Sequence, residues 1–298
     1  MEIIGNKKNR AFLDKVVKSK NIIQAYLFIG KEGIGKKIIA EEFAKKILCF
    51  ELSGDDNCKS CIRYESKNHP DFSLLNEEST TIKINDIREL IDKVIEKPIL
   101  SEKKVYIIND ADKMTKEAQN CLLKTLEEPQ DYAVIILIAE NENKILNTIK
   151  SRCTRILFDV LTNDEIDNLL KKKGYNISIT ENMYDLFGGS AGKAERMIQK
   201  KELYDSIDIL LNKIETTNKL DFYLAGKEIY NKEEIRNILE YFIVSLYNLG
   251  RKNQNYLNCV NIVQDAINKI NSNCNFDMCL DNMLWKIWEE VNENNNRS

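Results

Sequence analysis

Long apolar runs, prolines and histidines are all scarce in this chain of 298 residues. No apolar run approaches the ~18 residues that a membrane-spanning helix requires, and the opening stretch MEIIGNKKNRAFLDK lacks the apolar core of a secretion signal. The three prolines, Pro70, Pro98 and Pro129, all lie in the first half, so none interrupts a helix in the second half. We therefore expect a soluble, cytoplasmic chain with a helical second half.

An excess of basic charge is also absent. The chain has 44 lysines and arginines against 47 acidic residues, which leaves a formal net charge of −3. A chain that binds nucleic acid through its overall field is basic. Any DNA contact would therefore have to come from a local patch or from partner chains. The length suggests about two domains of roughly 100–200 residues each.

Strand-like and helix-like segments alternate over residues 1–160. Short β-branched and aromatic runs, apolar on both faces, predict buried parallel strands. Helical patterns fill the gaps between these runs, which indicates an α/β fold with a parallel sheet. After residue 160 only helical patterns follow, and Thr162 or Asn163 is the expected N-cap of the first of them. The predicted strands are AYLFIG (25–30), DFSLL (71–75), KVYIIN (104–109), YAVIILIA (132–139) and RILFDV (155–160).

The stretch GKEGIGKK (30–37) fits the phosphate-binding pattern G-x-x-x-x-G-K-[ST] at every position but the last. It follows a predicted strand and opens a predicted helix, so the backbone N–H groups around Gly30, Gly33 and Gly35 would face a phosphate. Lys36 would reach the phosphate oxygens. Lys37 stands where the pattern has the hydroxyl that holds Mg²⁺. The alternative interpretation is an ordinary glycine turn before a helix.

Hydrolysis requires further residues beyond the loop. An acidic residue at the end of a later strand holds the metal, and a second residue positions water. Here that strand ends in Asn109 and Asp110, where an active site of this class has Asp-Glu. Asn109 carries no charge, Asp110 is one methylene shorter than glutamate, and Lys37 adds positive charge beside the metal position. These departures predict a loop that can cradle phosphate without the residues needed for hydrolysis.

Three of the eight cysteines, Cys49, Cys58 and Cys61, lie close together with the spacing C-x8-C-x2-C. Cysteines in a cytosolic chain of this size do not suggest a disulfide framework. Short C-x2-C knuckles are instead typical of structural zinc sites. The three cysteines are therefore candidate zinc ligands.

Four stretches of the chain match one protein family in the expected order. KVYIINDADKMTKEAQNCLLKTLEEPQ (104–130) is similar to the family's second ATPase motif, and NTIKSRCTRILF (147–158) to its Ser-Arg-Cys segment. CFELSGDDNCKSC (49–61) with NHPDF (68–72) resembles its zinc-module insertion, and FGGSAGKAERMI (187–198) resembles the lid helix that carries the second sensor. On these residues the chain is identified as a member of the clamp-loader AAA+ family.

The resemblance implies a RecA-like parallel sheet flanked by helices in residues 1–160, with a Cys-rich insertion at 49–69. It further implies a small helical lid domain in residues 161–204 and an all-helical collar domain in residues 205–298. The family's motor subunits keep the hydroxyl and the Asp-Glu pair that this chain lacks. The chain is therefore similar to the non-motor class, a scaffold (stator) subunit of the bacterial DNA polymerase III clamp loader, which loads the sliding clamp onto primed DNA during replication.

The implied partners are the motor (tau/gamma) and delta subunits in a hetero-oligomeric ring, the sliding clamp, and primed DNA through the assembled complex. Two other interpretations stay open. One is an ATPase-active, motor-type subunit that tolerates Lys37 and Asn109. The other is a zinc-dependent nucleic-acid-binding module. The net charge of −3 argues against it, as does the presence of only three clustered cysteines where a zinc site commonly has four ligands.

Two further residue roles follow from the resemblance alone. Arg152 matches the arginine finger that reaches into the ATP site of a neighbouring motor subunit, the alternative being a solvated loop arginine. Lys193 stands where active members carry a sensor arginine, and a lysine lacks the planar grip of arginine on phosphate. An ordinary surface lysine is the alternative. With the loop, Asn109, Asp110 and Lys193 complete the expected nucleotide-binding positions.

The family's zinc module continues to a fourth cysteine where this chain has Tyr64, a poor zinc ligand. Two interpretations stay open at this point, a weakened zinc site at the three remaining cysteines and a metal-free remnant. His69, in a segment that members with all four cysteines also carry, is expected to have a separate structural role.

Overall fold

The structure, a computed structural model, describes residues 4–54, 58–76, 80–251 and 253–295. In these ranges all strands belong to one parallel sheet. Its five strands are β1 (Ala25–Ile29), β2 (Phe72–Leu75), β3 (Lys104–Ile108), β4 (Ala133–Ala139) and β5 (Thr154–Leu157). They are arranged in the order β2-β3-β4-β1-β5.

Helices make up the rest of the regular structure in the described ranges, apart from short 3-10 turns at Ala111–Lys113 and Glu142–Lys144. In chain order they are α1 (Lys7–Lys18), α2 (Lys36–Leu48), α3 (Lys59–Glu65), α4 (Ile84–Ile95), α5 (Lys116–Glu127), α6 (Asn147–Lys150), α7 (Asn163–Lys172), α8 (Glu181–Phe187), α9 (Ala191–Ile198), α10 (Lys201–Asn212), α11 (Lys219–Glu228), α12 (Ile235–Gly250), α13 (Gln254–Asn271) and α14 (Phe276–Asn295).

Neighbouring residues of a strand point to opposite faces of the sheet. Helices pack on both faces, so side chains of either orientation are buried in the central strands. The central strands β1, β3 and β4 are buried along their whole length. Tyr26 and Phe28 of β1 pack with residues of α1 and α2, and Leu27 packs on the other face with residues of α4, α5 and α6. The carboxyl ends of these strands meet at one edge of the sheet, where open α/β sheets bind ligands.

The two edge strands differ from the prediction that all five are apolar and buried on both faces. The β2 residues are only half-buried, and in β5 Leu157 is 64% exposed next to the buried Ile156. An edge strand has a neighbour on one side only, so fewer elements cover it. The predicted strand 155–160 is also too long, since β5 ends at Leu157.

Only helices follow β5 in the described ranges, as the sequence predicts. Thr162 is the N-cap of α7: its hydroxyl accepts from the Glu165 N–H at 3.2 Å, and the Glu165 carboxylate accepts from the Thr162 N–H at 3.0 Å. This reciprocal pair is a capping box. Among the described residues, no helix is both long and apolar enough to cross a membrane.

The chain divides into two compact units. The first comprises Met1–Leu169 with Gly189–Gly192, and the second comprises Leu170–Gly188 with Lys193–Ser298. This division crosses the predicted lid, residues 161–204, and the three-domain arrangement stays a prediction.

Candidate functional site

The predicted phosphate loop lies between β1 and α2, at the carboxyl end of β1. Gly33 and Gly35 adopt left-handed conformations with φ of 75° and 91°, and Gly35 is the N-cap of α2. Lys36, the first residue of α2, is buried, and its Nζ donates to the carbonyls of Gly30 and Lys31, both at 2.6 Å. The amine is therefore turned back onto the carbonyls of its own loop.

Acidic residues from the ends of β3 and β4 surround this lysine. Burial lowers the pKa of Lys36, whereas the carboxylates of Glu140, Asp110 and Asp112 act to raise it. The backbone N–H of Glu140 also donates to Asp112 Oδ1 at 3.1 Å, which joins the ends of the two strands. The structure thus brings together the loop lysine and Asp110, two of the residues that the sequence predicts for one site.

Asn109 occupies the position where an active site has a metal-holding carboxylate. Its Nδ2 donates to the carbonyl of Asn76 at 3.4 Å, and its own carbonyl accepts from Asn76 Nδ2 at 3.1 Å. Asp110 follows in a left-handed conformation, with φ of 48°, and pairs with Lys113 at 3.0 Å. The buried Asn109 amide therefore ties the ends of β2 and β3 together, and the only carboxylate of this pair is engaged by a lysine.

A turn at residues 189–192 covers the phosphate loop within the same compact unit. The Gly192 N–H donates to the Gly33 carbonyl at 2.9 Å, and a Cβ at Gly33 would lie 2.2 Å from Ser190 Oγ. Ser190 is buried. Sequence reasoning missed this contact, although the two glycines of FGGSAG signal a tight turn.

Lys193 follows this turn and belongs to the second compact unit. Its Nζ donates to Glu240 Oε2 of α12 at 2.7 Å, and the side chain is partly buried. The ammonium group is therefore paired with a carboxylate of the helical unit.

Arg152 lies in the short loop between α6 and β5. Its Nη1 donates to the Thr148 carbonyl at 2.7 Å, and its Nη2 pairs with Glu127 Oε1 at 2.6 Å. The arginine side chain is 32% exposed. Glu127 is a further residue that sequence reasoning did not single out, because no local pattern connects the end of α5 to the loop after α6.

The three predicted cysteine ligands come together at the end of α2 and the start of α3. Their sulfur atoms all lie within 4.8 Å of one another, and the Cys49 and Cys58 Sγ atoms are 3.8 Å apart. Tetrahedral zinc with Zn–S bonds of about 2.3 Å places its sulfur ligands about 3.8 Å apart. The Cys61 N–H also donates to Cys58 Sγ at 3.3 Å. This cluster can hold a metal ion.

The electrostatic environment of the thiols is uneven. Burial opposes ionisation of Cys49, but hydrogen bonds from Ser53 and from two backbone N–H groups outweigh it and lower the pKa of this thiol to about 7. Burial and the neighbouring sulfur atoms raise the pKa of Cys61 well above its ordinary value. Of the two thiols, Cys49 therefore ionises more readily than Cys61.

Tyr64 and His69 are both committed to contacts outside the cluster. The Tyr64 hydroxyl donates to the Glu41 carbonyl at 3.0 Å, and burial raises its pKa. His69 Nδ1 accepts from the Asp71 N–H at 3.1 Å, so Nε2 carries the proton and lies 2.8 Å from Ser60 Oγ. These contacts leave the three cysteines as the cluster's ligands among the described residues.

Comparison of the sequence with known proteins places the chain in a family. A family model described as DNA polymerase III, delta subunit, matches residues 5–162. The DNA polymerase III subunit delta' of Bacillus subtilis is 38% identical over 156 residues, which are 52% of this chain and 47% of the relative. The gamma/tau subunit of Mycoplasma pneumoniae is 34% identical over 180 residues, 60% of this chain and 26% of the relative. The chain thus spans less than half the length of these curated relatives.

A solved structure supports the fold over nearly the whole chain. A DNA polymerase III gamma subunit-related protein from Thermotoga maritima superposes with a TM-score of 0.55 at 19% identity, covering 94% of this chain and 99% of that protein. The predicted AAA+ fold, with its parallel sheet and helical C-terminal part, is confirmed.

Proposed function

This chain belongs to the DNA polymerase III delta-subunit family, in its delta-prime class, and from that premise we propose that it is a non-hydrolysing scaffold subunit of a clamp loader. In this proposal it joins motor (tau/gamma) and delta subunits in a hetero-oligomeric ring that loads the sliding clamp onto primed DNA during replication. Residues 161–204 serve as the lid and residues 205–298 as the collar that holds the ring together.

The observation that carries the non-hydrolysing role is the state of the metal position. Asn109 offers a neutral amide that is already bonded to the Asn76 backbone, and Asp110 is paired with Lys113. Lys37 adds a positive charge at the first turn of α2, where a hydroxyl would hold Mg²⁺. Phosphoryl transfer depends on that metal to neutralise developing charge. In this proposal the loop cradles a phosphate, but the residues that would hold Mg²⁺ for hydrolysis are missing from the site.

The second part of the proposal assigns Arg152 as an arginine finger that acts in trans. Its guanidinium is partly exposed at a loop next to the edge strand β5. A guanidinium from a neighbouring subunit stabilises charge on the transferring phosphoryl group. The chain would thus supply a catalytic residue to its neighbour while lacking a complete site of its own.

The finger is tested in the reconstituted complex by pre-steady-state ATP hydrolysis. Arg152→Ala should leave assembly intact and slow hydrolysis at the motor site that faces this subunit, where a finger can be worth ~10³–10⁵ in rate. Arg152→Lys should rescue poorly, because a point charge lacks the planar fork. Arg155→Ala, which removes a nearby exposed arginine, is the matched control. Unchanged rates at every site in an assembled complex would contradict the finger, and failure to assemble would contradict the subunit role.

The isolated chain tests the scaffold role against the motor-type alternative. We expect no steady ATP turnover by the purified chain, because the metal position lacks its carboxylate. Turnover that disappears in Lys36→Ala would instead establish an ATPase in its own right.

The proposal also includes one structural zinc ion at Cys49, Cys58 and Cys61. The 3.8 Å separation of the Cys49 and Cys58 sulfurs fits tetrahedral zinc. Bound there, zinc would supply cross-linking, since among the described residues no carboxylate or histidine joins the three cysteines in the cluster. The three cysteines would fix α3 against the end of α2.

A further inference from the structure

We propose that Glu127 is a positioning residue for Arg152, and that it orients the guanidinium for the neighbouring motor site. This inference rests on the proposed finger role of Arg152. It starts from one contact: Arg152 Nη2 lies 2.6 Å from Glu127 Oε1. No role of Glu127 follows from the phosphate-loop or sensor positions.

Two acceptors restrain the guanidinium from different elements. Glu127, the last residue of α5, binds Nη2, and the Thr148 carbonyl of α6 binds Nη1 at 2.7 Å. A weaker contact joins Nη1 to Ser151 Oγ at 3.4 Å. A guanidinium has five N–H donors in one plane, so these contacts orient the plane and leave part of the fork for a phosphate.

The elements that carry the pair are themselves anchored in the core. Leu122 and Leu126 bury the end of α5 in the sheet-facing cluster. The Arg152 N–H donates to the carbonyl of Ile149 at 3.0 Å, and Ile149 is fully buried. The backbone on both sides of the pair is therefore fixed, and the main freedom left to Arg152 is in its side chain. That freedom is what Glu127 restricts.

The Glu127–Arg152 ion pair contributes little to the folding stability of the chain. The two side chains are 32% and 47% exposed, and ion pairs at such exposure contribute little to folding. A long arginine side chain otherwise samples many rotamers, and a small misplacement of a reacting group is costly in rate. The contact therefore acts on the geometry of the finger rather than on the fold.

The test uses the reconstituted complex with Glu127→Gln, Glu127→Asp and the control Glu128→Gln. Glu128 is the next residue along the chain and is also an exposed glutamate. Its replacement by glutamine therefore removes the same charge from the same region. Glu127→Gln should lower single-turnover hydrolysis at the neighbouring motor site about threefold to tenfold, below the ~10²-fold that a misplacement of about 1 Å can cost. Nucleotide affinity should not change, Glu127→Asp should recover part of the rate, and Glu128→Gln should match the wild type.

A double variant separates positioning from a general structural effect. If Glu127 acts through Arg152, then Glu127→Gln should have no further effect in an Arg152→Ala background. Equal slowing in both backgrounds, an unchanged rate, or a faster rate from a released arginine would each overturn the inference. When Arg152→Ala alone slows hydrolysis, such a result removes only the role of Glu127. When Arg152→Ala alone has no effect, the finger role fails and the inference fails with it.

Discussion

His69, the one histidine of the chain, lies in the segment NHPD (68–71) and forms hydrogen bonds that link this segment to its neighbours. Its ring bridges the Asp71 N–H and Ser60 Oγ, and Ser60 in turn donates to the Leu48 carbonyl at 2.7 Å. Asp71 accepts three backbone N–H groups from residues 99–101 at 2.7–2.8 Å. The segment therefore connects the end of α2 to the chain before β3.

The stability of the chain should depend on pH through His69. Burial lowers the pKa of His69 below its ordinary value of 6.5, while the Asp71 carboxylate acts to raise it. The unfolded chain then takes up a proton at a higher pH than the folded chain, so stability present above 6.5 is lost as the pH falls toward the folded pKa. His69→Gln should cost about 1–3 kcal/mol at neutral pH. In urea unfolding this deficit should shrink as the pH falls from 6.5, and a constant deficit would contradict the assignment.

Gly33 illustrates a residue with two constraints, of which the sequence indicates one. The phosphate-binding pattern predicts a glycine that lets backbone approach a phosphate. The structure adds a contact from residues far along the chain, since a Cβ at Gly33 would lie 2.2 Å from Ser190 Oγ. No periodicity or local motif can connect residues 33 and 190, so the contact required the folded structure.

A comparison of two glycines should separate backbone strain from this contact. Gly33→Ala and Gly35→Ala both place a side chain at positive φ, which costs about 1–2 kcal/mol. A Cβ at Gly35 meets nothing within 4 Å, so only Gly33→Ala should carry an added cost, about 1 kcal/mol or more. In a Ser190→Gly background that excess should largely disappear. Equal losses for the two alanine variants in chemical denaturation would show that the turn does not restrain the loop.

At the scale of elements, the sequence predicted the central sheet better than its margins. Continuous apolar runs identify β1, β3 and β4, because a strand buried on both faces needs no polar residues. The same reasoning failed for the edge strands, where Leu157 is exposed by its position in the sheet. The spacing C-x8-C-x2-C also correctly predicted that the three cysteines form a cluster. The sequence pattern had no signal for the Glu127–Arg152 pair, which depends on how α5 and α6 pack.

The segment from α2 to α3 should depend on metal for part of its stability. Elemental analysis should find at most about one zinc per chain, since a structural site binds one ion. Cys58→Ser or Cys61→Ser should release it, whereas Cys274→Ser, at an exposed thiol outside the cluster, should retain it. Chelation should lower the thermal midpoint, because a ligand that binds only the folded state stabilises it. Zinc that survives both cluster replacements would exclude these cysteines as its site.

At the scale of the whole molecule, net charge limits what the chain does alone. The formal net charge of −3 gives no attractive field for phosphates. The described residues also form two compact units, one built on the parallel sheet and one helical. DNA contact is therefore expected to require the partners.

Binding to primed DNA distinguishes a scaffold subunit from a zinc-dependent nucleic-acid module. The isolated chain should bind more weakly than the ~10⁻⁴–10⁻⁶ M typical of non-specific DNA-binding proteins at physiological salt, with a shallow dependence on salt concentration. The complex with the proposed motor and delta partners should bind the same DNA with a steeper dependence, because partner residues would then neutralise phosphates. Fluorescence anisotropy across a salt series measures both slopes. Tight binding by the isolated chain, with a steep slope that Cys58→Ser abolishes, would favour the zinc-dependent module, since the cluster would then be organising a DNA-binding surface rather than joining α2 to α3.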